Sequence, residues 1–187
     1  MCKNNTISFF DSNGLARTII TLPDGSKIKM KNPTGTQFFQ KLQELCNEKK
    51  KVKKIWLYGH GNNDEMYIND SHMKWKWEWK SFGREMQKGD VALLVIDGKI
   101  MLYEDGGVYL DITQLLKCIS DNETTIYLNG CHTAQDSKWL FPAPESIAKN
   151  MSEILKGGII MGNTGYALGL YFWTIGDSEG YLEGEHK

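Results

Sequence analysis

A thiol and an imidazole each follow an apolar run in this sequence. His60 lies in the stretch IWLYGHG and Cys131 in the stretch IYLNGCH, and in both a glycine directly precedes the reactive residue. A thiol within reach of an imidazole can lose its proton, and the resulting thiolate is a nucleophile suited to acyl transfer. Taken alone, a cysteine after a strand is more often a packing residue. The paired pattern favours a nucleophilic Cys–His pair, provided that the fold brings the two stretches together.

Apolar strands and amphipathic helices alternate along the chain. The predicted elements are an early strand in 6–11, a hairpin around Pro23-Asp24-Gly25, helices within 35–51, 111–120 and 145–157, strands at 55–58, 126–128 and within 158–165, and an antiparallel hairpin excursion over 62–112. Near-continuous apolar strands alternating with helices predict an α/β three-layer sandwich, in which helices cover both faces of a mostly parallel central sheet. Functional groups in such sheets lie just past the carboxyl ends of the strands, where His60 and Cys131 stand.

The glycines beside the two reactive residues suggest how an oxyanion would be stabilised. The backbone amides of Gly61 and Cys131 are the predicted donors of an oxyanion hole. Gly130 is predicted to let the chain turn before Cys131, because glycine tolerates both a positive φ and a close backbone approach.

Composition narrows the class of protein and of partner. The 187 residues are 41% hydrophobic and 24% charged, which fits one domain spanning 1–187. A net charge of −1 disfavours nucleic acid as a partner, and no run approaches the ~18 apolar residues of a membrane span. Without a secretion-signal pattern the expected location is the cytoplasm, although an exported effector or a fragment of a larger protein is compatible with the same N-terminus.

The cysteines predict neither a metal site nor a disulfide framework. None of Cys2, Cys46, Cys118 and Cys131 belongs to a C-x-x-C pair. Cys46 and Cys118 lie in predicted helices, where a thiol usually behaves as a small buried hydrophobe. We therefore expect no metal and no other cofactor.

The two motifs resemble those of the caspase–hemoglobinase group of cysteine peptidases (clan CD). LYGHG followed by IYLNGCHTA is similar to the group's pattern of an apolar strand with His-Gly and a second apolar strand with Ala-Cys or Gly-Cys. Over roughly 52–165 the chain is similar to bacterial CHAT domains and to the cysteine protease domains of bacterial toxins. The resemblance implies a caspase-like fold and a cysteine endopeptidase. Cys131 would form the thioester and His60 would act as base and acid.

Two further residues bear on this assignment, and one stretch departs from the group. Toxin-type members often use an Asp from an early strand to orient the histidine, and Asp11 is the candidate here by position. His132 is a rival base, although alternation at a strand end predicts that it faces away from Cys131. Many members continue His-Gly with Ser or Asp, whereas this chain has Asn62-Asn63-Asp64.

Three functions stay open at this stage. The first is an endopeptidase, either self-processing or regulated, acting on a protein or peptide substrate. The second is a catalytically silent binding module of the same fold. The third is a domain of a bacterial toxin or immunity system that a partner protein or an anionic ligand activates. The cluster Lys49–Lys54 could bind such an anion, as inositol phosphate does in the toxin relatives, or it is a solvated helix end.

The residues that would determine substrate specificity are also open. Trp75, Trp77 and Trp79 share one strand face, which would line a substrate cleft, form a protein interface or close a small satellite core. The loop 137–144 would either form one side of the substrate site or pack against neighbouring residues. An acidic pocket for a basic P1 residue has four candidate side chains: Asp64, Asp136, Asp177 and Glu179.

Overall fold

Seven strands form one mixed sheet, which contains the strands that carry both motifs. The computed structural model of the chain describes residues 16–71, 74–78, 81–135, 145–164, 166–168, 173–175, 178–182 and 184–186. In spatial order the sheet consists of β15 (Glu185–His186), β14 (Ser178–Leu182), β11 (Ile159–Asn163), β10 (Thr125–Asn129), β3 (Lys54–Tyr58), β1 (Arg17–Thr21) and β2 (Lys27–Lys31). The pairs β3–β10 and β10–β11 are parallel, and the other four pairs of this sheet are antiparallel.

A second, antiparallel sheet and two short ribbons come from the middle and the end of the chain. The sheet is ordered β4 (Glu65–Asn69), β7 (Val91–Ile96), β8 (Lys99–Glu104) and β9 (Val108–Asp111), and the ribbons pair β5 (Lys74–Glu78) with β6 (Ser81–Glu85) and β12 (Tyr166–Leu168) with β13 (Trp173–Ile175). Asp97 and Gly98 both have positive φ, as the two-residue turn between β7 and β8 requires. The predicted antiparallel excursion over 62–112 is therefore a full sheet rather than a small hairpin.

Three helices lie in the described residues, and local sequence signals start two of them. They are α1 (Gly35–Asn47), α2 (Thr113–Ile119) and α3 (Ile147–Leu155). Thr34 Oγ1 accepts from the Gln37 amide at 3.1 Å while the Gln37 side chain accepts from the Thr34 amide at 2.9 Å, which is a capping box. Ser146 caps α3 through the Lys149 amide. Among the described helices, none has the length and apolar character needed to cross a membrane.

The core lies on one face of the mixed sheet. One interior space is lined by residues from both sheets and all three helices: Phe38, Ile55, Leu57, Leu93, Ile112, Leu116, Ile126 and Met151. The second sheet contacts the helices through β7 and β8. All three described helices therefore pack on the same face of the mixed sheet.

The opposite face carries half-buried aromatic side chains. Trp56 stacks on Tyr127 with 3.7 Å between ring centroids, and on Tyr58 with 5.7 Å. Burial alternates residue by residue along β3 and β10, so that these rings point away from the core. The Lys54 ammonium lies 5.9 Å from the centroid of the Tyr127 ring.

The predicted fold class is wrong. The chain is mostly β, with one mixed and one antiparallel sheet, and it is not a three-layer α/β sandwich with helices on both faces of a mostly parallel sheet. Trp56, Tyr58 and Tyr127 made β3 and β10 look apolar on both faces, whereas tyrosine and tryptophan can remain partly exposed because each has a polar edge. Alternating burial is instead typical of a sheet whose core is on one side.

Cys46 and Cys118 form a disulfide that joins α1 to α2, with their Cα atoms 5.6 Å apart. The prediction that both are separate buried thiols is therefore wrong. The two cysteines are 72 residues apart in sequence, and only the packing of α1 against α2 makes them neighbours. Cys131 takes no part in a disulfide, and Cys2 lies outside the described residues.

Candidate functional site

The two motifs end at the same edge of the mixed sheet. β3 and β10 are parallel neighbours, with Tyr58 opposite Asn129 at their last residues. The chain continues into Gly59-His60-Gly61 on one side and Gly130-Cys131 on the other. β11 ends at the same edge, with Gly162 opposite Leu128. The fold therefore brings the two stretches together, as a nucleophilic Cys–His pair requires, on adjacent parallel strands.

The backbones of Gly61 and Gly130 are in contact. A Cβ placed on Gly130 would lie 3.0 Å from Gly61 Cα and 3.1 Å from Gly61 N, and a Cβ on Gly61 would lie 3.2 Å from Gly130 Cα. Neither glycine has a positive φ. The close approach predicted for Gly130 is confirmed, and the predicted need for a positive φ is wrong. Because His60 precedes one glycine and Cys131 follows the other, the contact holds the two reactive segments together.

A buried carboxylate lies against the His60 ring. Asp70 Oδ2 is 3.7 Å from His60 Nε2 and accepts a hydrogen bond from the His60 amide at 3.3 Å. Asp70 Oδ1 accepts from the Ala16 amide at 3.1 Å. The Asp70 side chain is 1% exposed and that of His60 is 14% exposed. A buried carboxylate is costly without partners, and here two amides and the imidazole surround it.

Asp70 was not among the predicted site residues, although it follows an apolar strand as His60 and Cys131 do. Met66 and Ile68 are buried strand residues, the strand β4 ends in Asn69, and Asp70 follows directly. This is the same pattern of an apolar strand followed by a reactive side chain that singled out His60 and Cys131. Asp11, the orienting residue that was predicted instead, lies outside the described residues.

A tight turn follows Cys131 and fixes its backbone. Thr133 Oγ1 donates to the Leu128 carbonyl at 2.7 Å, and it accepts from the Asn163 amide at 3.1 Å. The Ala134 amide in turn donates to the Asn163 carbonyl at 3.0 Å. These bonds tie the segment after Cys131 to the ends of β10 and β11. Cys131 itself is 1% exposed.

Asn163 also bonds to the peptide group directly before Cys131. Its Nδ2 donates to the Gly130 carbonyl at 3.0 Å and to Asn129 Oδ1 at 3.1 Å. Asn163 is the last residue of β11 and is 4% exposed. The Gly130–Cys131 peptide is therefore held from the β11 side of β10.

Gly61 lies in an irregular bridge to β4. Gly61 and Met66 form an isolated antiparallel bridge, whose hydrogen bonds run from Asn62 N to the Glu65 carbonyl and from Tyr67 N to the His60 carbonyl. The bridge therefore does not use the amide of Gly61. The role of Gly61 and Cys131 as oxyanion donors stays a prediction.

His132, the rival base, and the phenol of Tyr67 have different surroundings from His60. His132 has a φ of 55°, and its Nδ1 lies 3.1 Å from the Thr164 carbonyl oxygen, after β11. His132 therefore lies on the β11 side of β10, whereas His60 follows β3 on the other side. Tyr67 donates to Glu65 Oε1 at 2.8 Å, and burial together with this carboxylate raises the pKa of its phenol far above the usual value. Tyr67 therefore stays protonated and is not a candidate base.

Three lysines of the cluster Lys49–Lys54 contact different partners instead of converging on one point. Lys51 Nζ donates to the Cys118 and Ser120 carbonyls, at 2.8 and 3.0 Å, at the end of α2. Lys50 pairs with Glu48 at 2.7 Å, and Lys54 lies over Tyr127. An anionic ligand for the cluster Lys49–Lys54 stays a prediction.

The residues considered for substrate specificity lie partly within and partly outside the described residues. Asp64 accepts from the side chain of its neighbour Asn63. Asp136, Asp177, Trp79 and the loop 137–144 lie outside the described residues, and of Trp75, Trp77 and Glu179 only the strand positions in β5 and β14 are described.

Comparisons with family models, curated proteins and solved structures found no match to this chain.

Proposed function

We propose that this chain is a cysteine peptidase in which Cys131 is the nucleophile and His60 is the general base and acid. One observation carries the proposal: two parallel strands end side by side just before these residues, with the backbones of Gly61 and Gly130 in contact. The buried carboxylate of Asp70 beside His60 supports it, because a carboxylate next to an imidazole is the arrangement that orients a catalytic histidine.

In the proposed reaction the thiol of Cys131 loses its proton to His60 as its sulfur attacks the carbonyl carbon of a peptide bond. The tetrahedral intermediate carries a negative oxygen, which the amides of Gly61 and Cys131 stabilise. The C–N bond then breaks, and His60 returns the proton to the leaving amine. A water molecule, deprotonated by His60, hydrolyses the thioester and regenerates the thiol.

Asp70 supports His60 in two ways in this scheme. It anchors the backbone of the histidine through the amide and lies beside the ring, which limits how the imidazole can turn. Its negative charge compensates the positive charge that the imidazole gains in the reaction, in a site where few water molecules can do so. Asp70 acts through His60 and is therefore a positioning residue.

A latent, regulated form of the same peptidase is the second candidate. The side chain of Cys131 is only 1% exposed, so that a substrate carbonyl must displace covering groups before it reaches the sulfur. An activating partner, an anionic ligand or self-cleavage would each uncover it. Prolonged incubation of the purified protein, followed by intact mass measurement, tests self-cleavage, with Cys131→Ala as the inert control.

We propose that the protein functions in an oxidising compartment rather than in the cytoplasm. Disulfides persist mainly in secreted and extracytoplasmic proteins, and the bond between Cys46 and Cys118 connects two core helices. An exported effector fits this chemistry. Intact mass measurement checks the bond. The protein purified from its native source without reductant should be about 2 Da lighter than the fully reduced chain, since each disulfide removes two hydrogen atoms.

Covalent labelling tests the catalytic assignment. A set of acyloxymethyl-ketone peptides with different P1 residues should modify Cys131, located by peptide mapping. Cys131→Ala and His60→Ala should each abolish labelling, whereas Cys2→Ala, the matched loss of a thiol elsewhere, should not. Labelling that persists in Cys131→Ala would refute the assignment. If iodoacetamide alkylates Cys131 but none of the peptide ketones labels it, the silent binding module is favoured instead.

A further inference from the structure

The amide of Cys131 can serve as an oxyanion donor only if its peptide plane is held at one orientation. That plane is shared with the carbonyl of Gly130, because the two groups belong to one peptide unit. In a trans peptide the C=O and N–H bonds point in opposite directions. Whatever holds the Gly130 carbonyl therefore also aims the Cys131 amide.

Asn163 is the side chain that holds this carbonyl. Its Nδ2 donates to the Gly130 oxygen at 3.0 Å, whereas the Thr133 hydroxyl is 3.4 Å from the same oxygen and bonds better to Leu128. Asn163 is 4% exposed, and its own amide and carbonyl are bonded to Thr133 and Ala134. A buried side chain with a fixed backbone is a rigid anchor.

The direction of this bond places the Cys131 amide on the side of His60. Asn163 ends β11, and β11 and β3 flank β10 on opposite sides. Since the Gly130 carbonyl points towards β11, the Cys131 N–H points towards the segment that carries His60 and Gly61. A hydrogen bond to the carbonyl also polarises the peptide and makes its N–H a stronger donor.

We infer that Asn163 is a positioning residue for the oxyanion hole of this site, acting through the Gly130–Cys131 peptide. The inference rests on the proposed peptidase function. It predicts that removing the Asn163 amide slows steps that form an oxyanion while leaving the thiol as reactive as before.

Two reactions of the same thiol separate these effects. Acylation by p-nitrophenyl acetate passes through a tetrahedral oxyanion, whereas alkylation by iodoacetamide is a displacement at a saturated carbon and forms none. In Asn163→Leu, which keeps the volume without the donor, we expect acylation to slow by on the order of 10- to 100-fold, below the effect of deleting a donor outright. The alkylation rate should change by less than about twofold, since oxyanion stabilisation does not enter that step.

Asn163→Ala is the second variant, in case leucine prevents folding, and thermal unfolding confirms that each variant is folded. Asn129→Ala is the matched control, because it removes the other acceptor of Asn163 and leaves the bond to Gly130 in place. Its acylation rate should stay within a few-fold of the wild type.

Each outcome decides the inference. Slower acylation with unchanged alkylation supports it. Unchanged acylation, or an equal fall in both rates, overturns the positioning role while the peptidase proposal stands. A wild-type protein that alkylates at Cys131 but acylates no faster than Cys131→Ala overturns the peptidase proposal, and the role of Asn163 with it.

Discussion

Replacing Gly130 by alanine tests the contact that joins the two reactive segments. The new Cβ would lie 2.6 Å from Met66 Sδ and 3.0 Å from Gly61 Cα. The Met66 side chain can adjust by rotation, but the Gly61 atoms are backbone and can move only together with the segment that carries His60. Ordinary contact begins at 3.4 Å, so that the two strand ends must separate by about 0.4 Å.

The cost should appear in both stability and rate. Overpacking of this kind costs about 1–3 kcal/mol, and the reduced freedom of the unfolded chain offsets about 0.4–1 kcal/mol of it. A net loss of about 1–2 kcal/mol corresponds to a fall in unfolding temperature of about 2–8 °C for a chain of this size. Since a misplacement of about 1 Å can cost on the order of 10²-fold in rate, the smaller shift should slow acylation by on the order of 10-fold.

Gly157→Ala provides the matched control. Its Cβ would have no neighbour closer than Asn122 Oδ1 at 3.5 Å, and its φ is not positive. We expect an unchanged or slightly higher unfolding temperature and an unchanged acylation rate. If Gly130→Ala behaves like this control, the two strand ends are not in contact. If it loses stability alone, with normal acylation, the contact is packing without a catalytic role.

Two further predictions concern the acid and the disulfide. Asp70→Asn keeps the shape of the side chain but removes the charge beside His60, so that acylation should fall by on the order of 10²-fold; an unchanged rate would mean that Asp70 only anchors backbone amides. Reducing the Cys46–Cys118 bond, which spans 72 residues, should lower the free energy of unfolding by about 4 kcal/mol, measured by thermal unfolding with and without reductant. The double serine variant should be insensitive to reductant, and equal unfolding temperatures of the oxidised and reduced wild type would contradict the prediction.

Local signals predicted the elements well. The hairpin at Pro23-Asp24-Gly25 forms, with a φ of 86° at Gly25, and the helix predicted within 35–51 begins directly after its cap, Thr34. Such features depend on neighbours a few residues away, which the sequence shows directly. The paired strand ends at His60 and Cys131 belong to the same class, because an apolar run that stops at a glycine is also a local pattern.

Features that depend on distant parts of the chain were missed. The Cys46–Cys118 bond needs α1 and α2 to be neighbours, and the contact of Asp70 with His60 needs β4 to fold back beside the end of β3. The local pattern marks Asp70 as a reactive side chain after an apolar strand, but it shows neither which residue Asp70 contacts nor which cysteines pair. The fold class failed for the same reason, since the faces that helices cover are decided by packing and not by the order of elements.

The change of fold class does not alter the proposed chemistry, because the reaction depends only on groups at one edge of the mixed sheet. It needs a thiol and an imidazole at one sheet edge and backbone amides aimed at the oxygen between them. Three parallel strands in the middle of the mixed sheet supply that edge: β3 ends before His60, β10 before Cys131, and β11 in Asn163. The outer antiparallel strands and the three described helices do not enter this geometry. A peptidase proposal for this chain therefore depends on the rates of its own Cys131, His60 and Asn163 variants.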